Sequence, residues 1–180
     1  RVVPGGTLFV QEALREFIHT EPGVERLLYV EPGDLRLANL RSEGLTTVFD
    51  VTWAGTALQD LRLQVPGRHN ALNMTAALGM ALRAGAPVQQ LPEAVATYKG
   101  VERRFQVLED DDRLTLVDDY AHHPTELKAT LEALRAAYPK RRLVAAFQPH
   151  LYSRTRDFAA AFAQALAQAD HVILTHIYAA

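Results

Sequence analysis

The sequence predicts an α/β protein in two parts. A mixed region of strands and helices runs to residue 102, and a β-α-β-α-β unit follows over residues 103–180. Two observations carry this. Between residues 26 and 65, runs rich in β-branched and aromatic residues are divided by Pro-Gly and Ala-Gly turns. Beyond residue 103, short apolar runs alternate with longer stretches of helical period, the pattern of parallel strands joined by right-handed crossovers.

Residues 8–18 read as a helix, with Leu8, Leu14, Phe17 and Ile18 on one side. Pro22-Gly23 ends it, residues 26–30 form a short apolar strand, and Pro32-Gly33-Asp34 makes a turn. Residues 35–40, 45–53 and 57–65 read as strands, with Ala54-Gly55 as a hairpin tip. Pro66-Gly67 closes the β region and opens a helix at 69–84, which Gly85 ends. A second helix at 88–99 places Val88, Leu91, Val95 and Tyr98 on one face. The domain boundary is expected near residue 102.

Residues 114–117 then read as a short buried strand, and 125–138 as a helix capped by Thr125 with Leu127, Leu131, Leu134 and Tyr138 in one stripe. Residues 143–147 form the next strand. Ser153 is expected to cap a helix running to Ala169, packed through Phe158, Phe162 and Leu166. Residues 171–175 form the third strand.

Composition narrows the function. The formal net charge is -2, without the concentrated basic surface of a nucleic-acid binder. There is no cysteine, so disulfides, CxxC redox chemistry and thiolate zinc sites are excluded, in keeping with a cytoplasmic setting. No apolar run approaches the roughly 20 residues that cross a bilayer, so no membrane association is expected. The chain opens with Arg1 and stops just after an apolar strand, so it is expected to be a piece of a larger protein.

Chemistry-bearing residues gather at the carboxyl ends of two strands, where open α/β sheets bind ligands. The first runs into Asp118-Asp119-Tyr120-Ala121-His122-His123-Pro124-Thr125, the second into Gln148-Pro149-His150-Leu151-Tyr152-Ser153-Arg154-Thr155-Arg156. If the strands are neighbours, carboxylates, imidazoles and guanidinium groups line one rim. Arg156 reads as a surface charge. Neither HExxH nor an HxH pair is present, which argues against a zinc site. Asn70 and Asn73, three residues apart at a helix start, share a face on which paired amides can read a base edge, or else they are capping and first-turn polar residues. The Arg103-Arg104 pair can grip phosphate or ribose, or sit in surface ion pairs.

GRHNALN at 67–73, GVERRF at 100–105, DDYAHHPTE at 118–126 and FQPHLYSRT at 147–155 together resemble the Mur ligases, in order and spacing. The resemblance runs through residues 66–180, and loosely through the preceding β region. It implies a central ATPase domain ending near residue 102, followed by the start of a Rossmann-like C-terminal domain. The last two motifs look like the branch whose partners are UDP-N-acetylmuramate and L-alanine, acting in peptidoglycan synthesis. The activity implied is ATP- and Mg²⁺-dependent: a carboxylate is phosphorylated, and an amine attacks the acyl phosphate to give an amide, ADP and phosphate.

By the same resemblance Asn70 and Asn73 contact adenine, and Arg104 and Asp119 hold the ribose and phosphate side. Tyr120, His122, His150 and Arg154 face the alanyl end, with His122, His150 and Arg154 as the catalytic candidates. The sequence departs from the family pattern in lacking a GxxxxGK[ST] loop, the upstream glutamate and histidine for magnesium, and the UDP-sugar domain. The isolated chain is therefore expected not to turn over. Leu151 stands where some relatives carry arginine.

Competing readings are a sister branch that attaches an intact murein tripeptide in cell-wall recycling, a folylpolyglutamate synthase, and a non-catalytic nucleotide-binding module. A receiver domain is disfavoured: it needs a third aspartate ending a later strand, where this chain has Gln148-Pro149-His150.

Overall fold

The computed structural model describes residues 2–29 and 33–179, so Val30 and Pro32 of the expected strand and turn lie outside the described residues. The chain forms two compact units: residues 1–64 with 68–98, and residues 65–67 with 99–180.

The first unit is a five-stranded sheet in the order β1-β2-β3-β4-β5, comprising β1 (Thr7–Gln11), β2 (Glu25–Tyr29), β3 (Leu35–Glu43), β4 (Thr46–Trp53) and β5 (Thr56–Leu63). β1 and β2 pair in parallel, while β3, β4 and β5 form an antiparallel meander. β4 is the most buried, with Thr47, Val48, Phe49 and Val51 inaccessible, as its β-branched and aromatic content suits. Ala54 (φ 49°) and Gly55 (φ 82°) make the expected two-residue tip, since left-handed residues match the twist of the flanking strands.

Both pairings of β4 carry irregularities, with β3 between Ala38 and Arg41 and with β5 between Phe49 and Val51. Asp50 ties them together. Asn39 Nδ2 donates to its Oδ2 at 2.6 Å, and the Asp60 N–H to its Oδ1 at 2.8 Å. Those two donors, the Asn39 amide foremost, hold the Asp50 carboxyl below the usual range.

The expected helix at 8–18 is overturned. Residues 7–11 are strand β1, and only a single 3-10 turn follows at Glu12–Leu14. Leu14 and Phe17 are exposed, whereas Val10 is buried, so the expected apolar helix side is not formed. Parallel pairing with β2 along Thr7–Gln11 outweighs the helical spacing of four residues.

Helix α1 (Arg68–Arg83) packs on this sheet through Ala71, Thr75, Leu78 and Gly79. A Cβ on Gly79 would lie 2.5 Å from Leu35 Cδ2 and 2.7 Å from Phe9 Cε1, so only glycine allows this closeness of helix and sheet. Gly85 ends the helix at φ 84°. The second expected helix is shorter than predicted: a 3-10 turn (Val88–Gln90) leads into α2 (Leu91–Thr97), whose Leu91 and Val95 are buried while Tyr98 leaves the helix exposed.

In the second unit, β6 (Gln106–Asp110) pairs antiparallel with β7 (Thr115–Asp118), and β8 (Val144–Phe147) pairs in parallel with β9 (His171–Leu174). The α/β class holds, with the parallel β8–β9 pair as expected. The single parallel sheet of three strands does not: among the described residues β7 is bonded to β6, a strand the sequence reading missed. Nor is β7 buried, as Leu116 is 48% exposed. The core is formed by Leu127 and Leu131 of α3 (Pro124–Ala137), Ala145 and Phe147 of β8, and Phe162, Ala165 and Leu166 of the last helix.

Two caps differ from expectation. His123, not Thr125, caps α3: its Nδ1 accepts from the Thr125 N–H at 3.3 Å. The helix expected to be capped by Ser153 begins two residues earlier and is broken in two, α4 (Tyr152–Asp157) and α5 (Ala159–Leu166), at Phe158 (φ -112°, ψ 15°). Leu151, at φ 68°, precedes α4 in a backbone region that L-residues avoid.

Candidate active site

Asn70 and Asn73 fall in the first two turns of α1, on one face, with Asn70 half-buried and Asn73 exposed. The helix starts at Arg68, so Asn70 stands inside the first turn rather than at the cap.

The other candidates belong to the second unit. The loops after β7 and β8 line one cavity of about 490 Å³, which receives Arg103, Asp119, Tyr120 and His122 from one side and Gln148 and His150 from the other. The rim expected of two adjacent strand ends is therefore present, although β7 and β8 do not share a hydrogen-bonded ladder. Arg154 stands beside it, with Nη1 3.5 Å from His150 Nδ1. Arg156 is a surface charge, paired with Asp157 at 2.8 Å.

Each side chain is held by local structure. A tight turn, Val101 to Arg104, puts Arg103 at φ 56° and Phe105 at φ 49°. Asp119 Oδ2 accepts from the Phe105 N–H at 3.3 Å and from Thr130 Oγ1–H of α3 at 2.7 Å. The Tyr120 N–H donates to the Arg103 carbonyl at 2.7 Å, and Arg103 lies over the Tyr120 ring at 4.9 Å, a cation–π arrangement. Arg104 meets the same ring at 5.8 Å and pairs with Glu126 Oε1 at 3.3 Å.

His122 Nδ1 is 3.0 Å from the Tyr120 carbonyl and 3.4 Å from Glu126 Oε2, both acceptors, so Nδ1 carries the proton and Nε2 is the atom left to exchange one. Burial would raise the Glu126 carboxyl. The His122 N–H, the His122 imidazole, the Arg104 guanidinium and the His123 N–H outweigh it and hold the group below the usual glutamate range.

Sequence reasoning missed two residues. Tyr178 stacks on His150, with rings 5.6 Å apart and 19° from parallel, and lines the cavity. Its backbone also clamps the second loop: the Leu151 N–H donates to the Tyr178 carbonyl at 2.9 Å, and the Tyr178 N–H to that of Pro149 at 2.8 Å. The strand-end rule, applied to β9 as well as to the first two strands, would have found it. Glu126 was visible only as the last letter of a motif.

Comparison with known proteins gives the family. Residues 103–179 match the family described as Mur ligase, glutamate ligase domain. UDP-N-acetylmuramate--L-alanine ligase of Flavobacterium johnsoniae is 46% identical over 142 residues, covering 79% of this chain and 32% of that protein. The chain thus spans about a third of the length of the curated relatives it matches. The crystal structure of UDP-N-acetylmuramate-alanine ligase of Thermotoga maritima superposes with a TM-score of 0.74 at 30% identity, covering 84% of this chain and 34% of that one. The fold is also that of the MurF ligase of Thermotoga maritima in complex with ADP, with a TM-score of 0.73 at 19% identity over 93% of this chain and 39% of that one. The four motifs, the matched domain and these relatives establish that the chain belongs to the Mur ligase family.

Proposed function

We propose that the protein carrying this chain is an ATP-dependent, cytoplasmic ligase that joins L-alanine to UDP-N-acetylmuramate in peptidoglycan synthesis. Residues 1–102 would be the later part of its central ATP-binding domain, and 103–180 the first part of its C-terminal domain. The observation that carries the reading is the convergence of the DDYAHHPTE and FQPHLYSRT loops on one cavity. The name shared by the curated relatives favours L-alanine over an intact tripeptide as the incoming amine.

The reaction places cations and a base beside an amine and a developing tetrahedral anion, and that charge needs groups aimed in advance. His122, its Nδ1 committed to the Tyr120 carbonyl, offers Nε2 to take the amine proton. His150, stacked on Tyr178 and neighboured by Arg154, supplies a hydrogen-bonding edge with a guanidinium behind it for the amino-acid carboxylate. Tyr120, with Arg103 over its ring, lines the cavity on the alanyl side. Arg104 and Asp119 act on the ribose and phosphate side of the nucleotide, and Asn70 and Asn73 on its adenine.

ATP is the co-substrate. Among the described residues no group of three or more His, Cys, Asp or Glu side chains is placed to hold a metal ion, and the ligands for magnesium are expected outside this chain. No helix among the described residues is long and apolar enough to cross a membrane.

The test is phosphate release from ATP by the full-length protein, with UDP-N-acetylmuramate and either L-alanine or the murein tripeptide. Release that requires both the sugar nucleotide and L-alanine is expected. Release only with the tripeptide would assign the protein to the recycling branch, and release indifferent to either would leave a nucleotide-binding module.

A further inference from the structure

We infer that Glu126 is a positioning residue, the carboxylate that joins the Arg104 turn to the histidine loop and so sets how the nucleotide-side guanidinium is held. The inference rests on the function proposed above for Arg104, and extends it to a residue outside the cavity lining.

One carboxylate serves three donors. Oε2 accepts from the His122 N–H at 3.0 Å and the His123 N–H at 3.1 Å, while Oε1 accepts from Arg104 Nη1 at 3.3 Å. The bond to the His123 N–H belongs to the capping box of α3, and a side chain with a carbonyl oxygen at this position can make it and also accept from the adjacent His122 N–H. The bond to Arg104 is different in kind. It reaches 22 residues back along the chain and needs a negative charge to hold a guanidinium that also touches the Tyr120 ring. A cap alone would require glutamate or glutamine; the Arg104 contact requires glutamate. Arg104 has many rotamers and is half-exposed, so without this partner it must be ordered at the moment the nucleotide binds.

Glu126→Gln separates the two roles, because glutamine keeps the capping box and loses the charge. In the full-length protein the variant is expected to unfold within about 3 °C of the parent, since the cap is retained. Its KM for ATP should rise about tenfold, equivalent to about 1.4 kcal/mol, and any change in kcat through the 3.4 Å contact of Glu126 with His122 is read separately. With Arg104→Ala already present, adding Glu126→Gln should change KM for ATP less than about twofold, because the two act as one unit.

An unchanged KM for ATP, or the same tenfold rise in the Arg104→Ala background, would overturn the inference. ADP affinity by calorimetry at low temperature keeps the test readable if the variant loses stability, and a parent-like affinity there also overturns it. Turnover by the parent protein with UDP-N-acetylmuramate and L-alanine is measured first. Its absence would sink the functional reading, while the ADP affinities would still decide whether Glu126 orders Arg104.

Discussion

Replacing Asp119 by alanine separates what this carboxylate does for the fold from what it does for a ligand. Its Oδ2 is the acceptor for Thr130 Oγ1–H at 2.7 Å and for the Phe105 N–H at 3.3 Å. Thr130 is 8% exposed and Phe105 4%, so water cannot readily take over either bond. An unpaired buried hydroxyl costs about 2 kcal/mol, and the longer bond to the amide adds about 1 kcal/mol. The sum, about 3 kcal/mol, is a large part of the stability of an ordinary domain. For a unit of this size it lowers the unfolding midpoint by about 12 °C or more. Asp119→Asn keeps a carbonyl oxygen for both donors and should cost about 1 kcal/mol or less, while removing the charge proposed to act at the nucleotide. Thermal unfolding by circular dichroism reads both variants, with ADP affinity alongside. If Asp119→Ala unfolds within about 2 °C of the parent, the carboxylate does not anchor the turn at Phe105 and the reasoning fails.

Three further outcomes are expected. Gly79→Ala should destabilise the first unit by about 1–2 kcal/mol, because overpacking against Leu35 and Phe9 exceeds the helix-propensity gain of about 1 kcal/mol; a urea midpoint at or above the parent's would refute the close helix–sheet contact. Because the folded Glu126 carboxyl titrates below its ordinary range, its stabilisation is full above that range and is lost as pH falls through the lowered folded value. Glu126→Gln should therefore flatten the acid limb of stability below the ordinary glutamate range, and an unchanged limb in denaturant titrations would contradict the assignment. Tyr178→Ala removes the ring stacked on His150 while leaving the backbone clamp on Leu151. KM for L-alanine should rise about threefold to tenfold, matching about 0.5–1.5 kcal/mol for an aromatic pair, with KM for ATP unmoved.

What could be read from the sequence depended on how local the deciding physics was. The Ala54-Gly55 tip, the extent of α1 and its stop at Gly85 follow from turn and helix chemistry within a few residues, and all are observed. Residues 7–11 are a strand because β2 lies beside them, and no periodicity within 8–18 records that partner. The pairing of β7 with β6 was hidden for the same reason, since Gln106–Asp110 has only Val107 and Leu108 as apolar residues and both are exposed. At the site, the two polar strand ends were legible because a concentration of Asp, His and Arg beyond an apolar run has few structural uses. Tyr178 and Glu126 were not, because stacking on His150 and bridging to Arg104 exist only once the second unit is folded.

The most direct test of the proposed reaction follows an oxygen atom. In the acyl-phosphate route a carboxylate oxygen of UDP-N-acetylmuramate attacks the γ-phosphorus of ATP and becomes the bridging atom. When the amine of L-alanine takes the acyl carbon, that oxygen leaves with the phosphate. With the carboxylate labelled by ¹⁸O, the full-length protein should release phosphate carrying one labelled oxygen per amide formed, only when L-alanine is present. Unlabelled phosphate, or phosphate formed without amide, would contradict the account.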